Sequence, residues 1–519
     1  METRGFYRAA AAEPDRLALV LPDGRSVTAG ELLAASNRLA HGLRALGLRR
    51  GDCVAMLLPN GATNIEVLLA TLQTGLYVTP LNTGLAAAEL AYVLSDSGAR
   101  AFVAHPAYAE KAAEAVEASG IPVQARLAVG AAGSIPGFAA YADVGAGMPD
   151  SPPSDRVFGQ FMQYTSGTTG RPKGVRRDIL AADPDLLACL LSDHLRRFGI
   201  EPGGGNVHLC TSPMYHTAPL AFSWFALHFE HPVVLMAHWD PEDALRLVER
   251  HRVTTTHMVP TQFHRLLLLP EEVRRRYDTS SLRHVLHAAA PCPVDVKRRM
   301  LEWWGPVIYE YYGATEGGGT LVTPHEWLER PGTVGRAWGS GAEVRILDDD
   351  GKQCPAGQIG TVYLKVLQDF AYKGDEAKTR ESRRGDFFTV GDVGHLDADG
   401  YLFLCDRKND MIIAGGVNIY PAEIESVLLT HPKVADAAAF GIPHAEWGEE
   451  VKAVIQPADG VAGDERLRDE ILAFCADKLA RYKTPRTLDF IAEMPRDPNG
   501  KLYKRKLRDP YWAGRDRAI

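Results

Sequence analysis

Short apolar runs alternate with segments of helical period over the first two thirds of the chain, and this alternation limits the fold more than any other feature. Residues 17–21 are apolar, and Pro22-Asp23-Gly24 turns them back. Thr28, with Glu31 three residues on, makes a capping box. Leu32, Leu33, Ser36, Leu39, Ala40 and Leu43 then recur at helical spacing, with Gly47 as terminator. Residues 53–58, 76–79 and 101–104 read as buried strands, with helices over 66–74 and 86–94. The same grammar returns with strands at 207–210, 233–236, 254–258 and 285–287, and helices at 241–249 and 295–303. Strands separated by helices cannot pair through tight hairpins, so the pattern calls for largely parallel sheets covered on both faces.

The texture changes after residue 332. Segments 342–347, 360–364 and 401–404 run apolar or alternate between Gly- and Asp-rich turns, which predicts a small β subdomain. The polar stretch Asp406-Arg407-Lys408-Asn409-Asp410 precedes a fresh αβ module, with Pro421 near a helix start and a helical run over 470–479. The expected fold class is α/β. A large N-terminal domain, 1–408, holds two layered αβ subdomains up to about residue 330 and the small β subdomain over 331–408. A smaller α+β C-terminal domain takes 409–519.

Hydrophobic residues at 46% and charged residues at 24% suit a soluble globular chain. A net charge of -8 gives no polycationic surface, so no nucleic-acid partner is expected. The seven cysteines are scattered and form no Cys-x-x-Cys pair, which favours a reducing compartment. Acidic Glu2, Glu13 and Asp15 precede any apolar run, unlike a signal peptide. The longest uncharged stretch, 67–88, is broken by Thr71, Gln73, Gly75, Pro80 and Asn82, so no integral membrane association is expected. The cytoplasm is the expected location. Oligomeric state is open, a homodimer included.

One stretch carries chemistry on its face: Tyr164-Thr165-Ser166-Gly167-Thr168-Thr169-Gly170-Arg171-Pro172-Lys173-Gly174. Glycines let backbone N–H groups face an anion, Ser and Thr add donors, and Lys adds a mobile charge. The spacing fits neither G-x-x-x-x-G-K-[ST] nor G-x-G-x-x-G. The residues alone leave two readings open, a polyphosphate cradle and a solvated surface loop. Four further stretches stand in order after it: Tyr311-Tyr312-Gly313-Ala314-Thr315-Glu316; Gly391-Asp392; Asp406-Arg407 through Gly415-Gly416-Val417-Asn418-Ile419; and Asn499-Gly500-Lys501.

Together these five stretches resemble the signatures of the adenylate-forming superfamily, which holds acyl- and aryl-CoA synthetases, peptide-synthetase adenylation domains and luciferases. The likeness is strongest to bacterial acyl-CoA synthetases. It implies an acid–thiol ligase: carboxylate, ATP and CoA give acyl-CoA, AMP and diphosphate through an acyl adenylate, on a fatty or other hydrophobic acid. The alternative is a free-standing adenylase that loads a carrier protein's phosphopantetheine. ATP, Mg²⁺ and coenzyme A are the implied ligands, and a carrier protein is a partner only under the alternative.

The resemblance also implies roles. Thr165, Ser166, Gly167, Thr168, Thr169 and Lys173 would hold the β- and γ-phosphates, with Thr315 hydrogen-bonding phosphate and Glu316 binding Mg²⁺. Tyr312 would stack on adenine, with Ala288, Ala289 and Ala290 lining its side. Asp392 would accept the ribose hydroxyls and Arg407 would reach the ribose or α-phosphate. Lys501 would bridge carboxylate and α-phosphate, while Lys504, Arg505 and Lys506 are left as surface residues. His216 would border the acyl and thiol channel, and Asn409 would be the hinge where the family more often has Asp or Lys. Gly415 and Gly416 would enter to build the thiol tunnel. Met214, Ala218, Phe222 and Gly313 would line the acyl pocket, with Trp224 and Phe225 nearby; ordinary helix packing is the competing reading. His284, His287 and Cys292 fit no common zinc spacing and are assigned no metal.

Overall fold

The computed structural model describes residues 5–165, 172–497 and 500–513. The chain divides into two compact units. The first gathers the residues up to His257 with Glu272–Leu286 and Gln368–Glu381; the second gathers Met258–Glu271, His287–Leu367 and the residues from Ser382 on.

In the first unit, a six-stranded sheet runs in the order Ala139–Ala140, Arg126–Ala128, Ala99–Ala104, Cys53–Leu57, Tyr77–Pro80, Gln160–Phe161, and every neighbouring pair is parallel. Cys53–Leu57 is buried at every position, as a strand covered on both faces must be. The capping box forms as expected: Thr28 N–H donates to Glu31 and Glu31 N–H donates to Thr28, opening helix Ala29–Ala45. Its apolar stripe, with Leu32, Leu39 and Leu43 buried, meets helix Ala62–Leu72 in one core. A second sheet in this unit sets His208–Cys210 between Thr255–Met258 and Val233–Leu235, then Leu17–Val20, all parallel, with Ser26–Thr28 antiparallel at its edge. Polar side chains stud this layer. His194, His208, His228, His231 and His257 are all shifted by burial toward the neutral form.

The second unit is mostly antiparallel. Strands Ile308–Ala314 and Gly317–Val322 form a hairpin, extended by Arg336–Ala337. A further sheet joins Val344–Leu347, Gly360–Lys365, Phe387–Phe388, Arg383–Arg384, Asp392–Leu396 and Leu402–Arg407. Its strands match the β texture read after residue 332. The chain then makes a long hairpin, Val434–His444 with Gly448–Pro457, on which Thr487–Phe490 lies parallel and Ile412–Ala414 antiparallel. Helices Pro421–Leu428 and Glu465–Lys478 pack there, with Ile412, Ile424, Ile455 and Ile471 in the core. Sequence reading assigned no strand to Val434–His444, because its alanines and Gly441 are poor strand formers; burial across Ala437–Phe440 decides the matter.

One expectation is overturned here. Lys504 is no surface residue: its side chain is only 13% exposed and its Nζ lies 2.8 Å from Glu425. Its position at the start of helix Lys504–Arg508 turns it inward while Arg505 and Lys506 stay exposed. Among the described residues no helix is long and apolar enough to cross a membrane. All seven cysteines are free.

Candidate active site

Two groups of expected site residues form, one in each unit. In the first unit, strand Gln163–Thr165 pairs antiparallel with Lys173–Arg176, which sets Thr165 opposite Lys173. Ser166, Gly167, Thr168 and Thr169 lie outside the described residues. Strand Ala371–Tyr372 adds to the other side of Lys173–Arg176, and Lys373 N–H donates to Gly174 O at 2.9 Å. This places Asp375 beside the loop lysine: Lys173 Nζ is 2.7 Å from Asp375 Oδ2 and 5.8 Å from the Tyr372 ring centre. The lysine holds the Asp375 carboxyl below the usual carboxylate range. Asp375 Oδ1 meanwhile accepts Lys378 N–H at the start of helix Glu376–Glu381. Sequence reading missed Asp375. The Gly374-Asp375 pair in a polar stretch carries no signal without the strand pairing that brings it to Lys173.

The other first-unit residues follow strand His208–Cys210. Asn60 pins their loop, donating to Ser212 O and Met236 O at 3.0 Å each and accepting Met214 N–H at 2.8 Å. Met214 is buried, and His216 directly precedes helix Thr217–His228, with its ring 4.5 Å from that of Tyr215. Ala218 lies half-buried in the first turn of the same helix. Phe222 packs among His194, Phe198, Phe225 and His257, stacking on His257 at 5.2 Å. Trp224 faces Phe158, Phe161 and His228. Asn60 also escaped the sequence reading, although Pro59-Asn60-Gly61 directly after a buried strand was a usable cue.

In the second unit, Tyr312 and Gly313 sit in strand Ile308–Ala314, and Thr315 and Glu316 make the turn to Gly317–Val322. Tyr312 Oη donates to Asp392 Oδ2 at 2.6 Å. Burial and then the Asp392 carboxylate push the Tyr312 phenol well above its usual range, so it stays a donor. Asp392 pairs in register with Arg407 on the neighbouring strand, and Arg407 Nε is 3.5 Å from its Oδ1. Arg407 is half exposed, which suits a charge that meets a ligand. Glu316 is 6% exposed. A buried carboxylate on this turn is a hard oxygen donor of the kind Mg²⁺ takes beside phosphate oxygens, so the residue fits the ion.

Lys501 follows a tight turn: Gly500 N–H donates to Asp497 O, and Lys501 N–H to Asp497 Oδ1, both at 2.8 Å. Burial, then the charge of Arg407, lower the Lys501 ammonium, while Asp497 and Asp410 oppose the shift. Lys501 therefore lies within electrostatic reach of Arg407, whose own partner is Asp392. Asn409 is exposed in the turn after strand Leu402–Arg407, and its carbonyl accepts Arg508 Nη1 at 3.4 Å. Gly415 and Gly416, with φ of 58° and 80°, fill a two-residue turn between paired Ala414 and Val417. Positive φ at both positions is what such a turn demands.

A buried ion pair braces this unit. Lys297 is fully buried, with Nζ 2.6 Å from Glu310 Oε2 and 4.7 Å from the Trp327 ring centre, and His287 Nε2 lies 3.4 Å from the same oxygen. Burial alone pushes both members toward neutrality, and each partner opposes that push on the other. Glu310 is two residues before Tyr312, and His287 immediately precedes Ala288. Glu310→Ala is expected to cost about 3–5 kcal/mol in denaturant melts, because Lys297 is left charged in an apolar site. Sequence reading missed the pair; a Lys on helix Val294–Trp304 gives no sign of facing inward until the strand is placed. Among the described residues no cluster of three or more His, Cys, Asp or Glu is arranged to hold a metal.

Ala289 adopts φ 76°. A side chain there is strained by about 1–2 kcal/mol. Ala289→Gly is expected to stabilise the fold by about 0.5–1 kcal/mol in thermal melts, after the extra chain entropy of glycine is charged against it.

The chain matches two family models, AMP-binding enzyme over residues 6–368 and AMP-binding enzyme C-terminal domain over 423–501. It is 34% identical over 499 residues to a feruloyl-CoA synthase of Amycolatopsis sp, covering 93% of this chain and 94% of the relative. It is 31% identical over 530 residues to a fatty acid–[acyl-carrier-protein] ligase of Streptomyces coeruleorubidus, covering 100% and 98%. Among solved structures it resembles ATP-bound MatB from Rhodopseudomonas palustris, with a TM-score of 0.80, 30% identity, and 98% and 99% of the two chains covered.

Proposed function

This chain belongs to the AMP-binding enzyme family, the AMP-forming acid–thiol ligases, and we propose that it activates a fatty or other hydrophobic carboxylic acid and passes the acyl group to coenzyme A. The observation that carries the reading is the Tyr312–Asp392–Arg407 group, in which Tyr312 donates to Asp392 and Arg407 lies 3.5 Å from it, with the Arg407 charge in turn acting on the Lys501 ammonium.

The first half-reaction brings two anions together. The acid's carboxylate oxygen attacks the α-phosphorus of ATP, and the bond to the bridging oxygen breaks to release diphosphate. Neutralisation and positioning dominate such a step. In this reading Tyr312 lies against adenine, and its hydroxyl orients Asp392 to accept the ribose hydroxyls. Arg407 and Lys501 offset charge at the α-phosphate and the incoming carboxylate. Thr165, Ser166, Gly167, Thr168, Thr169 and Lys173 hold the outer phosphates, for which Lys173 exchanges Asp375 for phosphate oxygen. Thr315 donates to phosphate from the turn. Glu316 would hold Mg²⁺, which neutralises phosphate charge when bound.

In the second half-reaction the CoA sulfur attacks the acyl carbon and AMP leaves. The C-terminal domain, 409–519, turns about Asn409 between the halves, and Gly415 and Gly416 enter beside the thiol. His216 borders that channel. Met214, Ala218, Phe222 and Gly313 give the acid site its apolar character. Carrier loading is the second reading, favoured by the end-to-end similarity to a relative named for that activity.

The deciding experiment incubates the protein with ATP, Mg²⁺, CoA and a panel of acids: ferulate, benzoate, octanoate, dodecanoate and palmitate. ATP–diphosphate exchange and thioester mass are followed. A CoA thioester from a hydrophobic acid is the expected result. Exchange without thioester on any acid would favour the carrier, and no exchange with any acid would sink the adenylation reading.

A further inference from the structure

Helix Pro260–Leu268 presents Thr261 and His264 one turn apart on one face. His264 is 8% exposed, and its Nε2 lies 3.0 Å from the carbonyl oxygen of Ala435. A carbonyl only accepts, so Nε2 carries the proton. The next residue, Asp436, takes the fork of Arg496 at 2.5 and 2.7 Å. Arg496 spends its remaining nitrogen, Nη1, on the carbonyl of Gly500 at 2.7 Å. Gly500 returns to the starting helix: Thr261 Oγ1 donates to the same carbonyl at 3.4 Å. A Cβ on Gly500 would come within 2.8 Å of Thr261 Oγ1, at a backbone φ of +78°. Glycine is therefore required for the approach. The circuit closes on itself, and the residue after Gly500 is Lys501.

A bidentate Arg–carboxylate pair is a stiff link, so the circuit transmits the position of one helical turn to the lysine turn. We propose that Thr261 and His264 are positioning residues that seat the Lys501 turn for acyl-adenylate formation, and that thiol transfer does not use this seat. The inference rests on the adenylation reading above. It assigns a role in only one half-reaction, which a general packing role would not show.

The test uses the full-length protein and three readouts. First, amide hydrogen exchange is measured on the free protein. Exchange in peptides spanning the Asp497–Lys501 turn is expected to rise at least about fivefold in His264→Ala and in the Thr261→Ala/His264→Ala double variant. Second, ATP–diphosphate exchange with ferulate, or with the panel acid that wild type handles best, is expected to fall about tenfold to a hundredfold. Third, thioester formation from the chemically made adenylate of that acid and CoA is expected to stay within about twofold. His264→Gln, whose amide donates to the same carbonyl, is expected to recover most of the exchange rate. Unchanged amide protection in His264→Ala would overturn the seat, as would equal losses in both half-reactions. Wild type that exchanges with no acid would instead remove the adenylation reading, and the amide measurement would still decide the seat.

Discussion

Replacing Lys501 with alanine is expected to lower ATP–diphosphate exchange by about a hundredfold to a thousandfold while leaving thioester formation from a supplied acyl adenylate within about threefold of wild type. The size follows from removing one preorganised charge from a site where charge develops, worth about 3–4 kcal/mol. The selectivity follows from the chemistry of the halves. Only the first must bring a carboxylate against a polyphosphate; the second starts from a neutral acyl carbon. Burial makes the lysine count for more than its formal charge, since the same burial that lowers its ammonium weakens solvent screening around it. Lys501→Arg is expected to recover little, because a planar fork does not reproduce a point charge at the end of a flexible stem. Full exchange activity in the alanine variant would remove Lys501 from the mechanism.

The second large effect is acid unfolding. Burial lowers the pKa of His194, His208, His228 and His257 to about 3 and that of His231 to about 4, from an ordinary 6.5. The hydrogen bonding of His228 shows why its ring stays neutral: Nδ1 accepts the Phe6 N–H at 3.0 Å, and a proton there would abolish the acceptor. Unfolded histidines protonate as pH falls through 6.5, whereas these folded ones do not until about pH 3–4. The unfolded chain therefore binds more protons throughout that window, and stability is present above pH 6.5 and lost below it. Each group contributes at most about 1.4 kcal/mol per pH unit. Five together approach the whole stability of an ordinary domain within one to two units. Denaturant midpoints are expected to be flat from pH 7 to 8 and to drop steeply between pH 6 and 5. A midpoint that holds steady down to pH 5 would show that these rings are not neutral in the native state. His208→Asn is expected to flatten the slope without changing the plateau by much.

The sequence made the parallel layers legible because buried strands and amphipathic helices leave opposite periods, as at 53–58 against Leu32 to Leu43. Its motifs also singled out Lys501 and the residues Tyr312, Asp392 and Arg407, which the structure brings together. What it did not carry was pairing across distance. Asp375 meets Lys173 only because Ala371–Tyr372 joins the sheet edge beside it. Lys504 looked like one of a run of solvated charges, and nothing local marks Glu425 as its partner. The strand Val434–His444 was hidden by alanines that only make sense against the hairpin arm they face. Long-range partners are set by topology, and topology is not periodic.

The Lys297–Glu310 contact has a bearing on how this chain can change over generations. Losing either charge alone strands the other inside, at a penalty that is a large share of a domain's stability. Losing both to apolar residues of similar volume is close to neutral. Positions 297 and 310 are thus one heritable unit: drift must cross a barren single-step intermediate, or carry both changes at once. Descendants of this protein are expected to keep both charges or neither, and the strand that bears Tyr312 inherits that linkage.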